Sequence, residues 1–140
     1  MNAPLYNIEI LRLAASVPFA ARLDAPMASV EKRSRLCGSQ VVVDVDLDAT
    51  GRVSAVGMAV RACAFGQASA ALLGAHLVGR SAAELTEARD QLAAWLAGAR
   101  AAPEWPGMGK LAAALPHSAR HAAIRLPFEA AAEAAAEAAR

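Results

Sequence analysis

Val41-Val42-Val43-Asp44-Val45-Asp46-Leu47-Asp48-Ala49-Thr50-Gly51-Arg52-Val53-Ser54-Ala55-Val56-Gly57-Met58-Ala59-Val60 is the stretch on which the fold turns. Val41, Val43, Val45 and Leu47 alternate with Val42, Asp44, Asp46 and Asp48, the period of two that marks a half-buried strand. Asp48-Ala49-Thr50-Gly51 has turn chemistry. Val56, Met58 and Val60 then share one face of a second strand, with Ser54 the polar member near the turn. A hairpin follows. Setting Leu47 opposite Arg52 places Val43 opposite Val56 and Val41 opposite Met58, so apolar side meets apolar side. The same register, continued to the open end, puts Cys37 opposite Ala62 and beside Cys63. Asp44, Asp46 and Asp48 read as the solvated face, with no Gly and Glu at calcium-loop spacing.

Upstream, 28–35 predicts a polar edge strand that completes a three-stranded meander, joined to the hairpin by 36–39, with Lys32, Arg33 and Arg35 blunting its edge. Before it, Pro4 and the rows Leu5, Ile8, Leu11, Ala15 and Ile10, Leu13, Val17 predict a helix over about 4–16. Downstream of Cys63 the period returns to that of a helix, ending near Gly79, with His76 on its apolar row as a partly buried histidine. Ser81-Ala82-Ala83-Glu84 is a capping box opening a helix over 82–97. Residues 98–109 read as a loop and 108–114 as a short helix. In the alanine-rich tail, Glu129, Glu133 and Glu137 mark the solvated face of a helix that starts or restarts at Pro127. The sum is an α+β chain: a three-stranded antiparallel sheet with about five helices.

The 140 residues suit one domain, 1–140. Fourteen Lys and Arg against thirteen Asp and Glu give a net charge of +1, and aromatics are 4%. Neither an electrostatic groove for nucleic acid nor a stacking platform is expected, and no anionic membrane surface as partner. No basic leader opens the chain and no apolar run has the length of a membrane span, which makes the cytoplasm the expected compartment. Hydrophobic residues are 56%, but more than a quarter of the chain is alanine, so the core is thin in large side chains.

Two cysteines are too few for a disulfide framework or a complete four-thiolate site. In a reducing compartment both stay thiols. Cys37-Gly38 sits in a tight link, and Cys63 precedes a helix whose N-terminal dipole favours thiolate. The plain alternative is two buried small hydrophobes. His117 and His121, four apart, share one helical face without the glutamate of a metalloprotease motif. They read either as solvated or capping histidines or, for one of them, as a ligand completing a metal site with the thiolates. Cys63 as a nucleophile with a histidine base is a further reading, but no oxyanion donors or orienting acid accompany it. Gly-rich phosphate loops and nucleophile elbows are absent.

Ala62-Cys63-Ala64-Phe65-Gly66-Gln67-Ala68-Ser69-Ala70 resembles the central cysteine segment of the IscU/NifU-type iron–sulfur scaffold proteins, particularly the SufU branch. Cys37-Gly38 stands where that family has a Cys-Gly-Asp turn, Leu5-Tyr6 and Ile10-Leu11 look like its first helix, and 120–130 looks like its Arg-x-x-Cys-x-x-Leu segment. The stretch before Arg120 is similar to the SufU insertion. The resemblance implies the SufE/NifU-like fold and a scaffold or carrier, not an enzyme. It implies that Cys37 and Cys63 bind an iron–sulfur cluster, [2Fe–2S], or zinc; His121 is a candidate further ligand from its spacing, not from the resemblance. It also implies a cysteine desulfurase as sulfur donor and apo iron–sulfur proteins as acceptors; the ligand count is restored either by a homodimer sharing the cluster or by a single chain using His117 or His121 with Ser39 or water. A metal-free partner of the desulfurase is the alternative. By the same alignment the family's aspartate is Ser39 and its third cysteine is Ala123. The chaperone-docking segment of the IscU branch is reduced to a partial echo in Leu115-Pro116-His117-Ser118-Ala119.

Overall fold

The computed structural model describes residues 7–140. Their strands are β1 (Ala28–Arg33), β2 (Gln40–Leu47) and β3 (Val53–Arg61), an antiparallel meander in the order β1-β2-β3. Around it lie α1 (Ile8–Ala14), α2 (Ala64–His76), α3 (Ala82–Leu96) and α4 (His121–Ala138), with 3-10 stretches at Met108–Ala114 and Ser118–Arg120. The expected α+β architecture is present. Of the expected first helix, 4–6 fall outside the described residues; Asn7 caps α1 by accepting from the Ile10 N–H at 3.0 Å.

The hairpin exists with a different register. Val43 pairs with Met58, not Val56, and Val41 with Val60, while Asp46 and Leu47 face Ala55 and Val53 across a bulge that leaves Ser54 over. A shift of two residues preserves which face each side chain occupies, so matching apolar sides does not distinguish the two registers. The bulge and the Asp48 turn decide between them. Asp48 accepts from the Thr50 N–H (2.9 Å), the Thr50 hydroxyl (2.6 Å) and the Arg52 N–H (3.0 Å).

The inner face, with Val41, Val43, Val45, Val56 and Met58 buried, packs on α4. α4 in turn contacts α2 and α3, and α1 covers α2. The alanine-rich tail is thus the helix at the centre of the molecule. Ala130, Ala131, Ala132, Ala134 and Ala135 are buried, and the Glu129, Glu133, Glu137 row lies on the side that reaches solvent. α4 begins at His121 and runs through Pro127. The proline lacks the N–H that would bond to the Ala123 carbonyl, but the turn before it is held by α2, whose Ser69 hydroxyl donates to the Ile124 carbonyl at 2.6 Å. Lys32 lies on the inner face and pairs with Glu133 of α4 at 3.2 Å, so it does not blunt the sheet edge.

The aspartate face is not simply solvated. Residues 19–26 cross it as a strap, and Asp44 beneath them is fully buried. Its carboxylate accepts from Arg22 Nε (2.6 Å), the Ser29 hydroxyl (2.6 Å) and the Leu23 N–H (3.0 Å). Gly57, opposite Asp44, permits this, since a Cβ there would come within 2.7 Å of the Ala21 carbonyl oxygen. Burial pushes the Asp44 pKa up, but the hydrogen bonds from Arg22, Ser29 and Leu23 outweigh it and hold the pKa below its usual value. At the far side Trp105 pins the 98–109 loop, its indole N–H donating to the Leu72 carbonyl at 2.7 Å. His76 is exposed, with Trp105 near its ring, rather than partly buried.

Candidate functional site

Cys37 belongs to the turn between β1 and β2. The Ser34 N–H donates to the Ser39 carbonyl and the Gly38 N–H to the Ser34 carbonyl, both at 2.9 Å. Closing the turn so tightly needs a left-handed residue, and Gly38 supplies it with φ +71°. Cys37 is exposed, and its thiol donates to the Ser39 hydroxyl at 3.1 Å. Burial of the sulfur raises its pKa, but hydrogen bonding by the Ser34 and Ser39 hydroxyls and by the Ser39 and Cys37 backbone prevails, so the thiol pKa lies below its ordinary value.

Cys63 is half-buried at the N-cap of α2. Its backbone carbonyl accepts from the Gln67 N–H at 3.0 Å, while its sulfur makes no capping hydrogen bond. Gln67 also fixes the approach to the helix, its side-chain amide donating to the Ala62 carbonyl at 3.0 Å. The last paired residues of β2 and β3 are Gln40 and Arg61. Cys37 lies three residues before the first and Cys63 two after the second, so both thiols sit at the same end of the sheet.

α4 arrives at that end too. A Cβ on Gly66, in the first turn of α2, would lie 3.2 Å from the Ala123 Cβ and 2.5 Å from the Ala62 Cβ. Glycine here lets the first turns of α2 and α4 touch, with the buried Ala123 against Gly66, three residues after Cys63. Gly66 and Ser69 were not singled out as site residues in the sequence. The glycine two residues before a buried Ala-Ser-Ala run was the available signal.

His121 opens α4, two residues before Ala123. His121 Nε2 is 3.0 Å from the Ala114 carbonyl oxygen and 3.1 Å from that of Leu115, closing the end of the Met108–Ala114 stretch. His117 is exposed before Ser118–Arg120. Among the described residues, no three His, Cys, Asp or Glu side chains gather as a metal site. The site has two thiols, a serine hydroxyl held by one of them, and the methyl group of Ala123.

No family model matches the chain, and no curated protein matches it. Among solved structures, the N-terminal part of a nitrogen-fixing NifU-like protein from Brucella abortus is similar over 95% of this chain and 93% of that one, with 33% identity and a TM-score of 0.89. This chain belongs to the IscU/NifU-like family. This chain also shares its fold with a protein of Fervidobacterium islandicum AW-1 described as an iron–sulfur cluster assembly scaffold for the SUF system. That likeness has a TM-score of 0.84 and 17% identity, over 94% of this chain and 96% of the other. A hypothetical protein has the same fold at TM-score 0.75 and 20% identity, over 94% and 99%. The three-stranded sheet with helices over its inner face is therefore the NifU-like fold, as the Cys63 segment led one to expect. No helix of the described residues is long and apolar enough to cross a membrane.

Proposed function

We propose that this NifU-like chain is a scaffold or carrier in iron–sulfur assembly, not an enzyme, and that Cys37 and Cys63 hold its cargo. The observation that carries this reading is the placement of both thiols at one end of the β2–β3 hairpin in a NifU-like fold. Sulfur comes from a cysteine desulfurase. The Cys37 thiolate attacks the outer sulfur of the donor's persulfide, the donor's S–S bond breaks, its cysteine leaves as thiolate, and Cys37 keeps the persulfide. Exposure and a lowered pKa suit Cys37 for the attack.

Cluster or zinc sites call for four ligands, and one chain offers two sulfurs. Ala123 has no donor atom, and His121 has its Nε2 against two carbonyls. The arrangement we propose is therefore a homodimer in which Cys37 and Cys63 of each copy share one [2Fe–2S] cluster, later passed to an apo acceptor protein. Association then depends on the cargo, because binding free energy is also dimerisation free energy. The two free thiols suit a reducing compartment such as the cytoplasm.

That no third His, Cys, Asp or Glu joins the thiols among the described residues favours one other reading, a metal-free partner of the desulfurase. Anaerobic reconstitution with iron and sulfide, followed by gel filtration and metal analysis, separates the two. The scaffold gives a dimer with cluster absorbance that chelator returns to monomer. A colourless monomer, with partner binding unchanged in Cys37→Ala/Cys63→Ala, leaves the interaction module.

A further inference from the structure

Between the strap and the cysteine end, the outer face of the sheet is open. Cross-strand pairing lays its residues in two rows: Arg33, Gln40 and Arg61 across the three strands, and behind them Glu31, Val42 and Ala59. Together with Arg22 of the strap they line a depression of about 430 Å³. That is a volume suited to a small organic ligand. Val42 and Ala59 give it an apolar floor, and its walls are guanidinium groups and one carboxylate.

The charges around it do not cancel. Arg22 is matched by the buried Asp44, with Nε 2.6 Å from Oδ2. Arg33 is matched by Glu31, which accepts from Arg33 Nε at 2.9 Å and from the Gln40 amide at 2.6 Å. Arg61 is exposed and has no ion pair among the described residues. One positive charge is left over at the mouth of an apolar-floored pocket. A guanidinium fork matches a carboxylate through two parallel N–H···O bonds. With one guanidinium left uncompensated, a monoanion matches the depression better than a dianion.

We propose that this depression binds a monocarboxylate with a short apolar body, its carboxylate on Arg61 and its body over Val42 and Ala59. The proposed contacts use neither thiol, although Arg61 stands two residues before Cys63 in the chain. Sodium propionate is the probe, titrated into the ¹⁵N-labelled protein while the side-chain N–H signals of Arg61 and Gln40 are followed. Those signals should move saturably with propionate and stay still with sodium chloride at equal ionic strength. Arg61→Gln should weaken binding about tenfold or more, the loss of one charge-assisted pair. Ala59→Glu, at an exposed position, should place a carboxylate beside Arg61 and abolish the response while circular dichroism stays that of the parent. Arg100→Gln, in the loop on another part of the surface, should bind as the parent does. Shifts that chloride reproduces, that never saturate, or that persist unchanged in Arg61→Gln would overturn the assignment.

Discussion

The two ends of the β2–β3 hairpin are built on opposite plans. At the closed end, Asp48 takes three hydrogen bonds from its own turn, and Arg52 donates to the Gly79 carbonyl at 2.8 Å and to Glu84 at 2.7 Å. Glu84 also completes the capping box of α3 with Ser81, which is bridged to Arg52. Sheet, turn and helix start are fastened to one another by these side-chain hydrogen bonds. At the open end, Cys63 caps α2 without using its sulfur, Cys37 is exposed, and Leu36 beside it is 96% exposed. The same two strands thus join a fastening to a site whose reactive atoms remain available. Under the proposed function, stability and chemistry fall to different ends.

The comparison breaks first if the thiols prove structural. Cys37→Ala/Cys63→Ala should remove all cluster and metal from anaerobically reconstituted protein while its thermal midpoint changes little; a large fall in that midpoint would make the open end a fastening too. Next in size is a change of stoichiometry. Ser39→Asp with Ala123→Cys adds two donors at the end where α2 and α4 meet, and should convert a two-chain site into one metal ion per monomer, read by native mass spectrometry. Retention of the parent stoichiometry would mean that Ala123 is too tightly packed against Gly66 for a sulfur to reach the site.

Asp44 tests the middle of the sheet. Asp44→Ala should cost about 2 kcal/mol in urea unfolding, chiefly the bonds from Leu23 and Ser29, since Arg22 is half exposed and its pairing is screened. Its folded pKa lies below the unfolded value of about 3.9, so its contribution is present above that pH and is lost as pH falls through the folded pKa. The variant should therefore lose less stability than the parent on acidification. The smallest effect belongs to the closed end, where Ser81→Ala should cost about 1 kcal/mol by removing the cap of α3 without touching metal binding.

Much of this was legible in the sequence because alternation and capping are local. The strands and the Ser81 box follow from spacing over a few residues, and the hairpin puts Cys37 and Cys63 at one end of the sheet, but the two-residue shift of register removes the expected pairing of Cys37 with Ala62. What was missed depends on elements distant in the chain. The register is one case, because a two-residue slip keeps every face and only the bulge at Ser54 fixes it. Asp44 looked solvated because the strap that buries it is far away and unpatterned. Pro127 looked like a helix start because the support for 121–126 comes from α2, through Gly66 and Ser69. The alanine tail looked like a polar-faced helix because small side chains reveal little about whether a neighbour lies against them.

That central α4 has a consequence for how the protein is made. β1, β2 and β3 are synthesised long before residues 121–138, so their apolar inner face has no lid while the ribosome is still extending the chain. A nascent sheet in that state is prone to association with other chains, and it gains its cover only when the last helix of this sequence emerges. Ala123 reaches Gly66 at that same late step. The cysteine end is consequently assembled last, and a truncated or stalled chain would display its sulfurs without the surroundings that order them.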